Sequence, residues 1–213
     1  MHAPRRGWES PLRRLDKEDE ERQTQDEEHS SREGENGIAN RLLKSRSVLL
    51  SGEINKQLAE RIIKQLILLE EDGENPVRVF IDSPGGDADA GYAIFDMLRF
   101  INPPVITIGM GLVASAAAIV LLAAPSERRV ALPNSHYLIH QPLSGIRGVA
   151  TEIEIHAREL EKLRSKINQM IADETGQSVE KVEQDTDRDY WLSAAEAQEY
   201  GLVSRIIDSR AEL

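Results

Sequence analysis

From residue 40 to the C-terminus, segments with a strand-like pattern of apolar and polar residues alternate with segments that have a helix-like pattern. Short β-branched runs bounded by glycine or proline are typical of buried strands, and apolar residues that recur every three or four positions are typical of helices. Strands are predicted at 47–52, 77–82, 105–110, 128–133, 136–142 and 203–208. Helices are predicted at 55–72, 87–101, 151–174, 178–186 and 193–200. This alternation predicts an α/β domain built from parallel βαβ units.

Three local signals refine the helix boundaries. Thr151 and Glu154 have the spacing of a capping box, which predicts that the longest helix starts at Thr151. Ser193 and Glu196 repeat the same spacing at the last predicted helix. The apolar run 112–124 is shorter than the roughly 20 residues that a membrane span requires, so it predicts a buried core helix.

Residues 1–39 differ in composition from the rest of the chain. They are rich in both acidic and basic residues and contain few apolar ones, so they cannot bury enough surface to offset the entropy of ordering. We therefore predict a charged, mostly disordered tail at 1–39 and one folded domain at 40–213.

Overall composition excludes several functional classes. The formal net charge of −11 argues against nucleic-acid binding, which requires a basic surface. The 213 residues include no cysteine, which excludes disulfides and thiolate catalysis and fits a reducing compartment. No signal-peptide or transit-peptide pattern is present at the N-terminus, so a cytoplasmic location is expected.

Two glycine-rich segments follow predicted parallel strands, at 82–87 and 111–115. The carboxyl ends of parallel strands form one edge of the sheet, where sites of α/β proteins lie. The Gly85-Gly86 pair could present backbone N–H groups to a phosphate or to an oxyanion. Because neither GxxxxGK[ST] nor GxGxxG occurs, the sequence gives only weak support to nucleotide binding.

Ser115, at the second of these segments, is a candidate nucleophile, with the N–H of Ala116 beside it. A serine before a helix is also among the best N-cap residues, so a structural role is the stronger reading of this stretch alone. The GxSxG motif of α/β-hydrolases is absent.

A serine nucleophile requires a general base and an acid that orients it. His2 and His29 lie in the predicted tail, and His156 is expected on a solvated helix face. His136 and His140 share one face of a predicted strand, and His140, at the strand's end, is better placed for a site.

Spacing does not identify the orienting acid. Asp185, Asp187 and Asp189 are all candidates, and their positions do not distinguish them. No metal site is predicted, because the chain has neither an HExxH motif nor cysteine ligands.

Three longer stretches closely resemble the proteolytic subunit of the Clp protease family: IDSPGGDADAG, ALPNSHYLIHQPLSGIRGVATEIEIHARE and DTDRDYWLSAAEAQEYGLV. The resemblance extends from about Arg41 to Ile207. It implies a crotonase-like spiral of βαβ units with a protruding long helix, the handle, which corresponds to the helix predicted from Thr151. It also implies an ATP-dependent serine endopeptidase that hydrolyses unfolded proteins and peptides inside a ring-shaped chamber.

The same resemblance assigns roles to individual residues. It implies a Ser-His-Asp triad of Ser115, His140 and Asp189, with oxyanion donors at the backbone N–H groups of Gly86 and Ala116. The implied substrate cleft comprises Gly85, Asp87, Gln141, Pro142 and Leu143.

The resemblance also implies an assembly and its partners. The family forms two stacked heptameric rings, and an AAA+ unfoldase such as ClpX, ClpA or ClpC delivers substrate. The subunit itself is expected to use no cofactor, because the partner unfoldase uses the ATP.

The chain departs from the family pattern at three places. Ala116 replaces the methionine that often follows the nucleophile, and Asp87 replaces a small or apolar residue after SPGG. Both positions are expected near substrate, where they could alter the cleavage preference. The long charged N-terminus replaces a short apolar segment, which makes hetero-oligomeric rings with a second, more typical subunit an alternative to homo-oligomers.

Two other functions are alternatives to a serine endopeptidase. An acyl-CoA enzyme of the crotonase type would use the same backbone oxyanion hole, but it needs no serine–histidine pair. A non-catalytic or regulatory ring subunit that assembles with an active paralogue fits the altered N-terminus and fits the intact triad less well.

Overall fold

The computed structural model describes residues 37–213, which divide at Ser45 and Arg46. Residues 37–44 are helical, and 46–213 form an α/β unit. The predicted tail therefore lies outside the described residues, except for 37–39. None of the helices in the described part of the chain has both the length and the apolar character needed to cross a bilayer.

Seven strands form one sheet in the α/β unit. They are β1 (Ser47–Ser51), β2 (Val77–Ser83), β3 (Val105–Ala114), β4 (Arg129–Ala131), β5 (His136–Ile139), β6 (Tyr190–Ser193) and β7 (Arg205–Ile206). The order is β1-β2-β3-β4-β7, and β5 and β6 branch from β3. All pairs are parallel except β5 with β6. The predicted α/β class with parallel βαβ units is confirmed.

Six helices connect these strands. They are α1 (Lys56–Glu71), α2 (Ala88–Phe100), α3 (Ala116–Leu121), α4 (Ala150–Thr175), α5 (Val179–Thr186) and α6 (Ala194–Tyr200). The apolar face predicted for α1 is buried against the sheet, with Leu58, Ile62, Leu66 and Leu69 all at most 5% exposed. The Ser193–Glu196 capping box of α6 is present as predicted.

Strand β3 is longer than the sequence pattern indicates. The predicted end at Met110 is wrong, because pairing resumes after an irregularity and Leu112–Ala114 align with β5. The predicted core helix over 112–124 is correspondingly wrong in extent, since α3 covers only Ala116–Leu121. The apolar run correctly predicted that the segment is buried. It did not distinguish a strand from a helix, because a buried strand and a buried helix are both apolar.

Other boundaries differ from prediction by one to three residues, and strand β6 was not predicted. Two of these differences bear on the site. Strand β5 ends at Ile139, so His140 lies just beyond it and does not share a strand with His136. Helix α4 begins at Ala150 and not at Thr151; the carboxylate of Glu152 accepts the N–H of Val149 at 3.3 Å. Glu154 instead pairs with Arg158 one turn later, so the predicted Thr151–Glu154 capping box is wrong.

A buried ion pair fastens the C-terminal end of α4 to the sheet. Arg129, 1% exposed, donates from Nε to Ala124 O and from Nη1 to Glu174 O, both at 2.7 Å. Its remaining nitrogen pairs with the Glu174 carboxylate, which also binds Arg99. Burial lowers the pKa of Arg129, and the Glu174 charge opposes that shift. Glu174 therefore supplies the negative charge that compensates the buried guanidinium.

We predict that Glu174→Ala lowers the free energy of unfolding by about 3 kcal/mol, because it leaves the Arg129 charge buried without its partner. Urea unfolding followed by circular dichroism measures this change. Glu60→Ala removes a solvent-exposed i,i+4 pair with Lys64 and is the matched control, expected to leave stability unchanged. Equal effects of the two substitutions would contradict this account.

Candidate active site

Ser115 lies in a sharp turn between β3 and α3. Its backbone φ is 55° and its ψ is −122°, a left-handed conformation that residues other than glycine rarely adopt. Such a residue carries about 1–3 kcal/mol of strain, which the surrounding structure must offset. Three backbone hydrogen bonds hold the turn: Ser115 N–H donates to Leu138 O at 2.8 Å, and Ser115 O accepts from Ala118 N–H at 2.9 Å and from Ile119 N–H at 3.3 Å.

The Ser115 side chain makes no capping hydrogen bond to α3. The N-cap role that the local sequence favoured is therefore wrong for the hydroxyl. A strained strand-to-helix turn that leaves a serine hydroxyl free is the arrangement by which α/β-hydrolases expose their nucleophile. Here the same geometry arises without the GxSxG motif.

Asp82 supports the bend in β3 that leads to this turn. Ile81 pairs with Gly109 and Ser83 pairs with Val113, so one residue of β2 faces three residues of β3. The Asp82 carboxylate fills the irregularity and accepts the N–H of Leu112 at 3.0 Å. Gly111 is required there, because its φ is 54° and a Cβ would lie 2.5 Å from Asp82 Oδ1.

The Gly85-Gly86 loop packs directly against Ser115. A Cβ on Gly85 would lie 2.7 Å from the Cβ of Ser115 and 3.0 Å from Ala116 N, so only glycine fits. A Cβ on Gly86, whose φ is 146°, would collide with Ile54 O. The loop is held there by hydrogen bonds from Ile54 N–H to Gly85 O and from Asp87 N–H to Ile54 O, each 2.8 Å long.

These contacts leave two backbone donors free beside Ser115. Within residues 37–213, neither Gly86 N–H nor Ala116 N–H has a hydrogen-bond acceptor. Unpaired N–H groups next to a nucleophile can stabilise a developing oxyanion.

The register of two antiparallel strands brings His140 and Asp189 together. Ile139, the last residue of β5, pairs with Tyr190, the first residue of β6. The residues just beyond this pair are therefore neighbours, and His140 Nδ1 lies 3.0 Å from Asp189 Oδ1. The His140 side chain is 24% exposed and that of Asp189 is 62% exposed.

The other two candidate acids have different partners. Asp185 binds Lys181 and accepts a hydrogen bond from the Tyr200 hydroxyl at 2.9 Å. Burial, and then this hydrogen bond, raise the pKa of Tyr200. Asp187 pairs with Arg164 of α4 at 3.4 Å. Of the three aspartates that spacing left open, Asp189 is the one in contact with a histidine.

One contact of the expected triad is not formed. Within the described part of the chain, the Ser115 hydroxyl has no hydrogen-bond partner, so it is not bonded to His140. Both side chains nevertheless line one cavity of about 700 Å³. The contact between His140 and Asp189 is thus formed, whereas the hydrogen bond between Ser115 and His140 is not.

The predicted cleft residues divide into two groups. Asp87, Pro142 and Leu143 line the cavity, as do Gly86 and Ala116. Gly85 lies behind the Ser115 turn, and Gln141 faces away, because its amide donates to Asp187 O at 2.6 Å.

One face of α4 forms a wall that the sequence analysis missed. The wall residues are His156, Leu160, Leu163, Ile167 and Ile171. Their spacing of three and four was visible in the sequence, but the surrounding charges suggested a solvated helix. The solvated position expected for His156 is only partly right: the residue is half-buried on the cavity wall, and its Nε2 is 2.8 Å from Ser144 Oγ.

Comparison with known proteins places this chain in a family. The model of the Clp protease family matches residues 30–210. A curated ATP-dependent Clp protease proteolytic subunit 2 from Treponema denticola is 59% identical, covering 90% of this chain and 96% of its own length. A proteolytic subunit 1 from Bacillus cereus is 49% identical over 81% of this chain and 90% of its own length.

A solved structure gives the same result for the fold. The chain of a ClpP1 mutant from Listeria monocytogenes is 48% identical, with a TM-score of 0.77, and the match covers 82% of this chain and 98% of that chain. The predicted Clp-type fold is therefore confirmed.

The chain belongs to the Clp protease family. Its function is that of a proteolytic subunit of an ATP-dependent Clp-type protease, and it is a serine peptidase of that type. The predicted family, activity and enzyme class are confirmed, and α4 occupies the place of the long helix that the resemblance implied.

We predict that Asp82→Ala lowers kcat on a small fluorogenic peptide about 100-fold, because a displacement of about 1 Å in a catalytic group has an effect of that size. KM should change little, since Asp82 does not line the cavity. Asp82→Asn keeps an oxygen that can accept the Leu112 N–H, and we expect it to retain most of the activity. Equal losses in both variants would contradict a positioning role.

Proposed function

We propose that Ser115, His140 and Asp189 form the catalytic triad of this peptidase and hydrolyse peptide bonds by acyl transfer. The observation that carries the proposal is the 3.0 Å contact between His140 Nδ1 and Asp189 Oδ1, beside a strained and unbonded Ser115 in the same cavity. The contact to Asp189 keeps the proton on Nδ1, which leaves Nε2 free to act as a base.

In the first half of the reaction, Ser115 Oγ attacks the substrate carbonyl carbon as His140 Nε2 takes the hydroxyl proton. The carbonyl oxygen becomes an oxyanion in a tetrahedral intermediate. Its C–N bond then breaks, His140 returns the proton to the departing amine, and an acyl-serine ester remains.

In the second half, a water molecule takes the place of the amine. His140 accepts a proton from the water as its oxygen attacks the ester carbon. The second tetrahedral intermediate releases Ser115 Oγ, which recovers the proton from His140, and a carboxylic acid leaves. Asp189 keeps its charge throughout and stabilises the imidazolium.

The two free backbone donors supply the electrostatic part of catalysis. Gly86 N–H and Ala116 N–H flank Ser115 and would bind the oxyanion in both intermediates. Loss of one such donor typically lowers kcat by about 100- to 1000-fold. Because the reaction is complete with these groups and water, we propose that the subunit uses no cofactor of its own.

Because the Ser115–His140 hydrogen bond is not formed, we propose that the two side chains are brought into alignment before catalysis. Catalytic hydrogen bonds are often long or unformed in free enzymes and tighten when substrate binds. A small rotation of either side chain within the cavity would form the bond. We propose that substrate binding or subunit assembly provides it.

For the assembly, we propose two stacked heptameric rings with the cavities facing an enclosed chamber. The apolar side chains exposed around the start of α4 support burial against other subunits: Leu143, Ile146, Val149, Ile153 and Ile155. The partners proposed are an AAA+ unfoldase such as ClpX, ClpA or ClpC, unfolded protein substrates and, alternatively, a second proteolytic subunit. The proposed location is the cytoplasm.

We predict that Ser115→Ala lowers peptidase kcat by about 10⁶-fold and that Asp189→Asn lowers it by about 10⁴-fold. Wild-type protein should react with a fluorophosphonate at Ser115, as located by peptide mass spectrometry. Ser144→Ala is the matched control, because Ser144 also lines the cavity beside a histidine, and it should label normally. Activity equal to wild type in Ser115→Ala would instead favour a non-catalytic ring subunit.

We predict that native mass spectrometry of the purified protein detects a 14-subunit species and that peptidase activity co-purifies with it. Ile153→Glu together with Ile155→Glu should shift the distribution to smaller species, because like charges would be buried at the contact. A monomer with full activity, unaffected by these substitutions, would contradict the proposed assembly.

A further inference from the structure

The cavity in front of Ser115 has an uneven charge distribution. Its lining includes three carboxylates, those of Asp87, Asp89 and Glu159, and no lysine or arginine from the described residues. Its other walls are largely apolar, formed by the α4 face and by residues of β5 and α3. A ligand that fits this surface combines an apolar stem with a positive end.

Asp89 differs from the other two acids because its carboxylate has no partner. Asp87 Oδ1 caps α2 by accepting Ala90 N–H at 2.7 Å, and Glu159 pairs with Lys162 at 2.7 Å. Asp89, in the first turn of α2, has neither a hydrogen bond nor an ion pair with any described residue. Its charge is therefore available to a ligand in the cavity.

Tyr92, one turn further along α2, is neutral. It lines the same cavity, and its hydroxyl oxygen is buried without a hydrogen-bond partner among the described residues. Burial and the charges of Asp96 and Asp89 raise the pKa of Tyr92, so the hydroxyl stays protonated. The Tyr92 side chain therefore adds no positive charge to the wall beside Asp89.

The cation in contact with Tyr92 does not neutralise this region through an ion pair. Lys166 Nζ lies 3.9 Å from the centre of the Tyr92 ring, on the face of the aromatic group. Lys166 makes no ion pair with Asp89 and does not line the cavity.

We propose that Asp89 is a specificity-determining residue and that the cavity prefers a lysine or arginine side chain of the substrate; the proposal rests on the peptidase function proposed for this site. The aliphatic stem packs against Leu160 and Leu163, and the positive end reaches Asp89. Long basic side chains bury their methylene groups in this way and keep the charged end at a polar contact.

Fluorogenic peptides that differ only in the residue before the scissile bond test the preference. For wild-type protein, kcat/KM should be about tenfold higher for lysine or arginine than for methionine, and glutamate should be the poorest. The ratio of lysine to methionine should shrink at high salt, because ions screen the charge of Asp89.

In Asp89→Asn the ratio of lysine to methionine should fall to about one. Asp96→Asn is the matched control: it lies on the same helix, outside the cavity lining, and should keep the wild-type ratio. A wild-type ratio near one, or the same change in both variants, would overturn the proposal.

A binding measurement separates this proposal from the catalytic one. Fluorescein-labelled lysine and methionine peptides are titrated with Ser115→Ala protein, and their affinities are compared by fluorescence anisotropy. Tighter binding of the lysine peptide by about tenfold supports the preference even if no variant cleaves peptide, and equal affinities overturn it. Failure of Ser115 to label with fluorophosphonate would instead contradict the proposed triad.

Discussion

The site depends on the contact between the Asp82 carboxylate and the bend in β3. An ordinary parallel strand would continue past β2 and carry Ser115 out along the sheet. Three residues of β3 instead span the space of one residue of β2, and Asp82 satisfies the Leu112 N–H that the bulge leaves unpaired. The bend moves the strand's pairing from β4 to β5. It therefore sets Ser115 against the backbone of Leu138, two residues before His140.

The base and the acid are positioned by a second set of contacts that reaches α4. Gln141, beside His140, donates through its backbone N–H to Thr186 O and through its side chain to Asp187 O. The Thr186 hydroxyl in turn donates to Asn168 Oδ1 at 2.8 Å, within the buried part of α4. The helix that walls the cavity thus also anchors the segment before Asp189. A change in the position of α4 would alter the cavity and the histidine–aspartate pair together.

Local sequence signals predicted most of the fold, because helix caps and β-branched runs act over a few residues. The start of α6 at Ser193 and the buried face of α1 follow from such signals. The course of 111–115 does not, since an apolar run is compatible with either strand or helix. For the site, the family resemblance selected His140 and Asp189, whereas spacing alone left the choice among three aspartates open. The cavity wall and the roles of Asp82 and Asp89 were not predicted. They depend on which strands and helices meet, and a single sequence does not specify those distant contacts.

The central claim is that the strained turn at Ser115 presents a nucleophile to two backbone donors. A crystal structure of the protein with a peptide boronate, which mimics the tetrahedral intermediate, tests it most directly. We expect a bond from boron to Ser115 Oγ, and one boronate oxygen about 2.7–3.1 Å from both Gly86 N and Ala116 N. Ser115 should keep its positive φ, and His140 should remain bonded to Asp189. A boronate bound to another residue, or with its oxygens directed away from both N–H groups, would contradict the account.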